Sequence, residues 1–398
     1  MKKHHAIAMV LSAISAGVLI SCTKPSDEPN SADTEPTQSE ASSTEPTTPA
    51  QSATNTAEST NTAATPSTSA TGTGTAVTVS AETQQTYLTH VANDLIIPAY
   101  HDAIVQSDML NTLAKKHCAA GSVQGTPLKE LRGQWIKLAQ AWASAEMINF
   151  GPATQSMSNL YINYYPDERG LVHNGVADLI SANPNLTSDQ LAQESAIVQG
   201  VPGLEEALFA NDSLSASQCA YVISASEALS IRLKNIETTW KENSVSLLAI
   251  DKTASSDQGL NQWVNSLLSL IETLKSSAVD QPLGLTGNPK GHVPAATAGQ
   301  SRAIINAKIA TLNKALTDPV LTAILQGNDT GNAVGDKLSS ALSETSTLLA
   351  QMPDDITKAD KDTQQKLYNH LTEVTQVIKR ELIPALGIRV GFNSTDGD

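Results

Sequence analysis

Leu128-Lys129-Glu130-Leu131-Arg132-Gly133-Gln134-Trp135-Ile136-Lys137-Leu138-Ala139-Gln140-Ala141-Trp142 places Leu128, Leu131, Trp135, Leu138 and Trp142 at steps of 3, 4, 3 and 4. An α-helix turns once every 3.6 residues, so these five side chains form one apolar stripe with polar residues behind it. The pattern recurs down the chain. Leu229, Leu233, Ile236 and Trp240 carry it, as do Leu260, Trp263, Val264, Leu267, Ile271 and Leu274. Ile305, Ile309, Leu312 and Leu316 repeat it, and so do Leu367, Leu371, Val374 and Ile378. Leu88, Val91 and Leu95 open the first helix, which meets Pro98. No long alternating strand pattern competes. The expected fold is all-α, with helices packed as antiparallel bundles.

Punctuation divides these helices. Thr253 to Gly259 reads as a break between an N-terminal bundle, 81–252, and a C-terminal bundle, 253–398. Asp280 to Gly299 is a long loop rich in proline and glycine, and a loop of that length in a compact domain is often functional. Leu95-Ile96-Ile97-Pro98-Ala99 echoes Leu382-Ile383-Pro384-Ala385, as expected if the two halves resemble each other.

The N-terminus reads as an address. Lys2 and Lys3 precede an apolar run, Ala6 to Ile20, too short and too rich in small residues to span a membrane well. It ends in Leu19-Ile20-Ser21-Cys22, which resembles the lipobox of bacterial lipoproteins. That resemblance implies a signal peptide over 1–22, cut before an acylated Cys22. Thr23 in place of Asp implies the outer membrane, with the folded part in the periplasm. Residues 23–80 are rich in Thr, Ser, Ala and Pro and carry too little apolar surface to fold, so a disordered tether is expected. The membrane would then be met only through the lipid anchor.

A formal net charge of −15 argues against nucleic acid as a partner. Beyond Cys22 there are two cysteines, Cys118 and Cys219. In an oxidising compartment two leftover cysteines pair, and a disulfide is expected. The rival, a two-thiolate metal site, has no further cysteine and no histidine at close ligand spacing to complete it.

Gly200-Val201-Pro202-Gly203-Leu204-Glu205-Glu206 reads first as a helix start, with proline in the opening turn and acids near the positive end of the dipole. The sharper reading makes Glu205 a presented, functional carboxylate. Glu146 follows Trp142 by four residues, so the two share a helix face beside the apolar stripe, where an acid needs a partner. Asp167 sits in the turn Tyr164-Tyr165-Pro166-Asp167-Glu168-Arg169-Gly170. Arg302, just after the long loop, is a candidate partner for Glu146 or Glu205. His292 lies within that loop; the other histidines are scattered, none three or four residues from another. No zinc-hydrolase, nucleophile-elbow or phosphate-loop motif is present.

These phrases together resemble the imelysin family of helical bacterial envelope proteins. The resemblance runs from about residue 85 to the C-terminus. It includes Trp135 to Glu146, Phe150-Gly151-Pro152, Tyr165-Pro166-Asp167, Gly200 to Phe209, Pro282-Leu283-Gly284, Gln300-Ser301-Arg302 and Leu386 to Asp398. It implies two related bundles with a site where they meet, and an association with iron acquisition, so iron or haem as a ligand and iron-uptake components as partners. Some members were first described as metallopeptidases. The family signature is Gly-x-His-x-x-Glu. Here Gly200 and Glu205 match it, but Pro202 stands at the histidine, and proline has no lone pair for a metal.

The leading expectation is therefore a non-enzymatic binding protein with Glu205, Trp142, Glu146, Asp167 and Arg302 around its cleft. A metallopeptidase built on Glu205 and His292 is the second reading, and a structural or partner-docking lipoprotein the third.

Overall fold

The computed structural model describes residues 79–250, 257–327 and 329–388. The leader with Cys22, nearly all of the tether, residues 251–256 of the expected break and the tail from Arg389 lie outside the described residues. The described chain is helical, as the stripes predict. Its first half runs through α1 (Ala81–His90), α2 (Ile97–His117), α3 (Thr126–Ala145), α4 (Ser158–Ile162), α5 (Leu171–Ala182), α6 (Ser188–Leu191), α7 (Gly200–Phe209) and α8 (Ala216–Leu247). Its second half runs through α9 (Asp257–Thr273), the single turn α10 (Gln281–Leu283), α11 (Ser301–Leu316), α12 (Pro319–Leu325), α13 (Asp329–Gln351), α14 (Lys361–Val377) and the short α15 (Ile383–Ala385). The expected break ends earlier than Gly259, because α9 already begins at Asp257.

Neighbouring helices pack antiparallel. Ser107 Oγ donates to the carbonyl of Ser226, and Asn111 Nδ2 to that of Ile223, so α2 rises as α8 descends. The pair is tied at one end by the Cys118–Cys219 disulfide and, beside it, by a two-residue ribbon pairing Val123 with Leu214. In the second half Lys337 Nζ meets Glu381 Oε2 at 2.6 Å, again pairing opposite ends of neighbouring segments. The tryptophans carry the core: Trp135, Trp240 and Trp263 are buried, and the Trp263 indole N–H donates to the Tyr87 hydroxyl at 3.0 Å. All five residues of the Leu128–Trp142 stripe are buried. Helix α11 of the second half packs on α3 of the first, and this contact between halves positions the cleft.

Three helices pass through a proline in the same way. Val91–Ile96, Leu274–Asp280 and Ile378–Leu382 are π-helical, and Pro98, Pro282 and Pro384 follow each within two residues. Proline has no N–H and its ring collides with the carbonyl four residues back. The wider π turn relieves this: the residue before each proline donates five residues back, Ile97 to Ala92, Gln281 to Ser276 and Ile383 to Ile378. The Asp94 carbonyl, which Pro98 leaves without its usual donor, accepts from Lys314 Nζ at 3.1 Å. The echo between Leu95–Ala99 and Leu382–Ala385 is thus a structural echo too.

Candidate functional site between the bundles

Helix α7 is seated by close backbone approach. Gly200 has φ +70°, and a Cβ there would lie 2.1 Å from the Ile162 carbonyl oxygen. Any side chain at this position would force Ile162 away, since the left-handed region also disfavours it. One turn on, a Cβ at Gly203 would lie 2.3 Å from the Tyr221 hydroxyl, which donates to the Val198 carbonyl at 2.8 Å. Trp135 Nε1 donates to the Val201 carbonyl at 3.0 Å and fixes α7 to α3. Pro202 falls in the first turn, where backbone N–H groups have no helical acceptor anyway.

So held, α7 turns Pro202 and Glu205 into a small cavity of about 40 Å³. Trp135 and Trp142 line it from α3 and Glu146 from the cap at its end, Ile304 and Lys308 from α11, and His292 and Pro294 from the long loop. A second cavity of about 350 Å³ adjoins it, sharing Trp142, Glu146, Asn163, Tyr165 and Lys308 and adding Asn159, Ser266 and Thr273. The walls are mostly apolar, with a few polar groups converging, as in small-molecule sites generally.

Those polar groups are arranged in three sets. Glu205 Oε1 accepts from the Ala298 backbone N–H at 3.0 Å, tying α7 to the long loop. Burial pushes its carboxyl up to about 7, with the neighbouring Glu206 adding to the rise and the Ala298 bond opposing it. Glu206 itself meets His173 Nδ1 at 2.6 Å and faces Thr297 of the same loop at 3.4 Å. Next, Lys308 Nζ, on a side chain only 1% exposed, meets Glu146 Oε2 at 2.8 Å, while Asn163 Nδ2 donates to Glu146 Oε1 at 3.2 Å. The indole N–H of the buried Trp142 has no hydrogen-bond partner among the described residues. Finally, the Tyr165 hydroxyl lies 2.9 Å from the carbonyl oxygens of Ser277 and His292, and burial pushes its ionisation well above the usual phenol range.

The structure therefore brings Trp142, Glu146, Glu205, Pro202 and His292 around one cavity. It does not bring Asp167 or Arg302 into that lining. Asp167 is a helix cap: its carboxylate accepts from the N–H groups of Leu171 and Val172, both at 2.9 Å, at the start of α5. Arg302 pairs with Asp354 rather than with Glu146 or Glu205. It stands six residues before Lys308, roughly 120° away around α11, and the inward face belongs to Lys308. Lys308, absent from the candidates above, carries a sequence signal of its own: it follows Ile305 by three residues and so lies on the apolar stripe.

A resident metal does not fit this cleft. Zinc hydrolysis needs about three protein ligands with an open position. Among the described residues, no three His, Cys, Asp or Glu side chains gather here closely enough to share an ion. Pro202 cannot supply the missing nitrogen, and His292 Nδ1 lies 3.0 Å from the Val293 carbonyl oxygen. Nor does the inner cavity, at about 40 Å³, have room for haem.

The fold and cleft define a two-bundle helical protein of the imelysin type. The chain belongs to the imelysin family: the model described as Imelysin matches residues 96–378. It is similar to an imelysin-like protein from Psychrobacter arcticum 273-4, with 72% identity over 80% of this chain and 99% of that one and a TM-score of 0.79. It shares its fold with a protein from Parabacteroides distasonis ATCC 8503 named as an iron-regulated protein A precursor, at 12% identity, 77% and 95% coverage and a TM-score of 0.61. No curated protein matches the chain.

Proposed function

We propose that the chain is a non-enzymatic binding protein that takes a small ligand in the cleft between its bundles and serves iron acquisition. One observation carries the binding reading. A buried indole N–H without a partner, the pair of buried Lys308 with Glu146, and Glu205, whose ionisation burial opposes, converge on adjoining cavities where the described residues form no metal-ligand set. Unpaired buried donors are expensive, and a ligand acceptor at Trp142 Nε1 would remove that cost. The link to iron rests on family membership and on the fold shared with a protein named as iron-regulated. Loss of the motif histidine to Pro202 weighs against the peptidase reading.

The test is growth under iron limitation. Cells carrying Glu205→Ala or Trp142→Phe should grow as poorly as cells lacking the whole gene, with the protein still present at its normal level. Growth equal to the parent strain would remove the cleft from the function and favour a docking role. Stoichiometric zinc in the purified protein, with peptide hydrolysis that depends on Glu205, would restore the peptidase reading.

The lipid-anchored, periplasm-facing placement at the outer membrane is part of the same proposal and rests on Leu19-Ile20-Ser21-Cys22. Acyl chains at Cys22 would hold the chain at a membrane surface. Cys22→Ala should move the protein from the outer-membrane fraction to the soluble one; an unchanged distribution would overturn the anchor.

A further inference from the structure

Away from the cleft, α13 and α14 bring a second chemistry together. One ligating atom each from Glu344, His370 and Glu373 lies within 4.8 Å of the other two, and no other three such side chains come this close among the described residues. His370 and Glu373 are three residues apart on α14, so they share a helix face. Glu344 faces them from α13. His370 Nδ1 is a buried atom without a hydrogen-bond partner among the described residues, 3.9 Å from Glu344 Oε2. The other Glu344 oxygen is already oriented: Ser340 Oγ donates to Oε1 at 2.9 Å. Glu373 and Ser340 line a groove of about 700 Å³ that runs alongside.

We propose that Glu344, His370 and Glu373 form a divalent transition-metal site on the second bundle, separate from the cleft and independent of what the cleft binds. The donor set argues the metal class. One imidazole nitrogen and two carboxylates suit zinc and the other borderline ions, whereas magnesium and calcium prefer oxygen alone. An ion would also satisfy the orphaned His370 nitrogen. Two of the ligands stand on one rigid face and the third is held by Ser340, so closing the site needs rotamer changes at exposed carboxylates and no movement of the helices. Three protein ligands leave positions open toward the groove, which is the arrangement of an exchangeable or reactive ion more than of a structural one.

Zinc is the probe. The untagged full-length chain, titrated with zinc against a chromophoric chelator at neutral pH, should bind one equivalent that depends on the triad. His370→Gln, Glu344→Gln and Glu373→Gln should each weaken that equivalent about tenfold or more. Glu373 is exposed, so its variant keeps the test valid even if His370→Gln folds poorly. Glu381→Gln, an acid of the same groove outside the triad, should leave zinc binding unchanged. Equal zinc binding by the parent and the His370→Gln and Glu373→Gln variants would overturn the site. So would equal competition by calcium, which would mean an unspecific acidic surface. Loss of the equivalent in Glu205→Gln with the triad intact would move the ion to the cleft and overturn this proposal.

Discussion

Replacing Cys118 and Cys219 together by serine should lower the unfolding free energy by about 2–5 kcal/mol, the range seen when native disulfides are removed from small secreted domains. The bridge joins residues 101 apart in sequence. In the chain-entropy model a loop of that size corresponds to about 4.7 kcal/mol, because the cross-link removes conformations from the unfolded chain. The position matters as much as the length. Everything between the two cysteines, α3 through α7, supplies the first-half wall of the cleft, including Trp142, Glu146 and Glu205. Urea unfolding of the parent with and without reductant, beside the double variant, measures the effect. Coincident midpoints in all three would show that α2 and α8 hold each other without the bridge.

Glu205→Gln should make the protein more stable above neutral pH and leave it unchanged in mild acid. The carboxyl titrates near 7 in the folded state against an ordinary value of 4.5, so the folded chain binds more protons than the unfolded chain between those values. Stability therefore falls as pH rises through that window. The full loss, reached once Glu205 is ionised in both states, is on the order of 3 kcal/mol. Glutamine keeps an oxygen to accept from the Ala298 N–H but carries no charge to desolvate. The two stability curves should meet near pH 4.5 and separate progressively up to about 7. Parallel curves across that range would sink the assignment of Glu205 as the buried, proton-bearing group. The same carboxyl accepts the Ala298 N–H that ties α7 to the long loop, so ligand affinity should respond to pH over the same interval.

The helices were legible because each stripe is a local pattern: five residues from Leu128 to Trp142 specify their own period. The disulfide was legible because two cysteines beyond Cys22 leave one pairing. The cleft was half legible. Trp142 and Glu146 share a face by spacing, and Glu205 stood out through the family motif. Partnership was not legible, because it depends on how two distant helices are phased. Arg302 and Lys308 lie on one helix, yet only the packing of α11 on α3 decides which cation meets Glu146. Asp167 reads as a ligand candidate, but the turn before Leu171 folds its carboxylate back onto the first N–H groups of α5, which spacing alone does not reveal. The grouping of Glu344, His370 and Glu373 is not legible from histidine spacing, because its single imidazole stands with two carboxylates and Glu344 comes from another helix.

The π turns before Pro98, Pro282 and Pro384 have a consequence for how this sequence tolerates change. A π turn holds one residue more than the α turn it replaces, so it acts as a one-residue insertion absorbed within a continuous rod. Removing one residue from Val91–Ile96 would close it to an ordinary α turn, so Tyr100, Ile104 and Leu110 would still face the core while the Pro98 ring would meet the carbonyl four residues back. A single-residue deletion in these three short windows should therefore cost less than one in the α-helical turns of the same rods, where it would rotate everything downstream by roughly 100°.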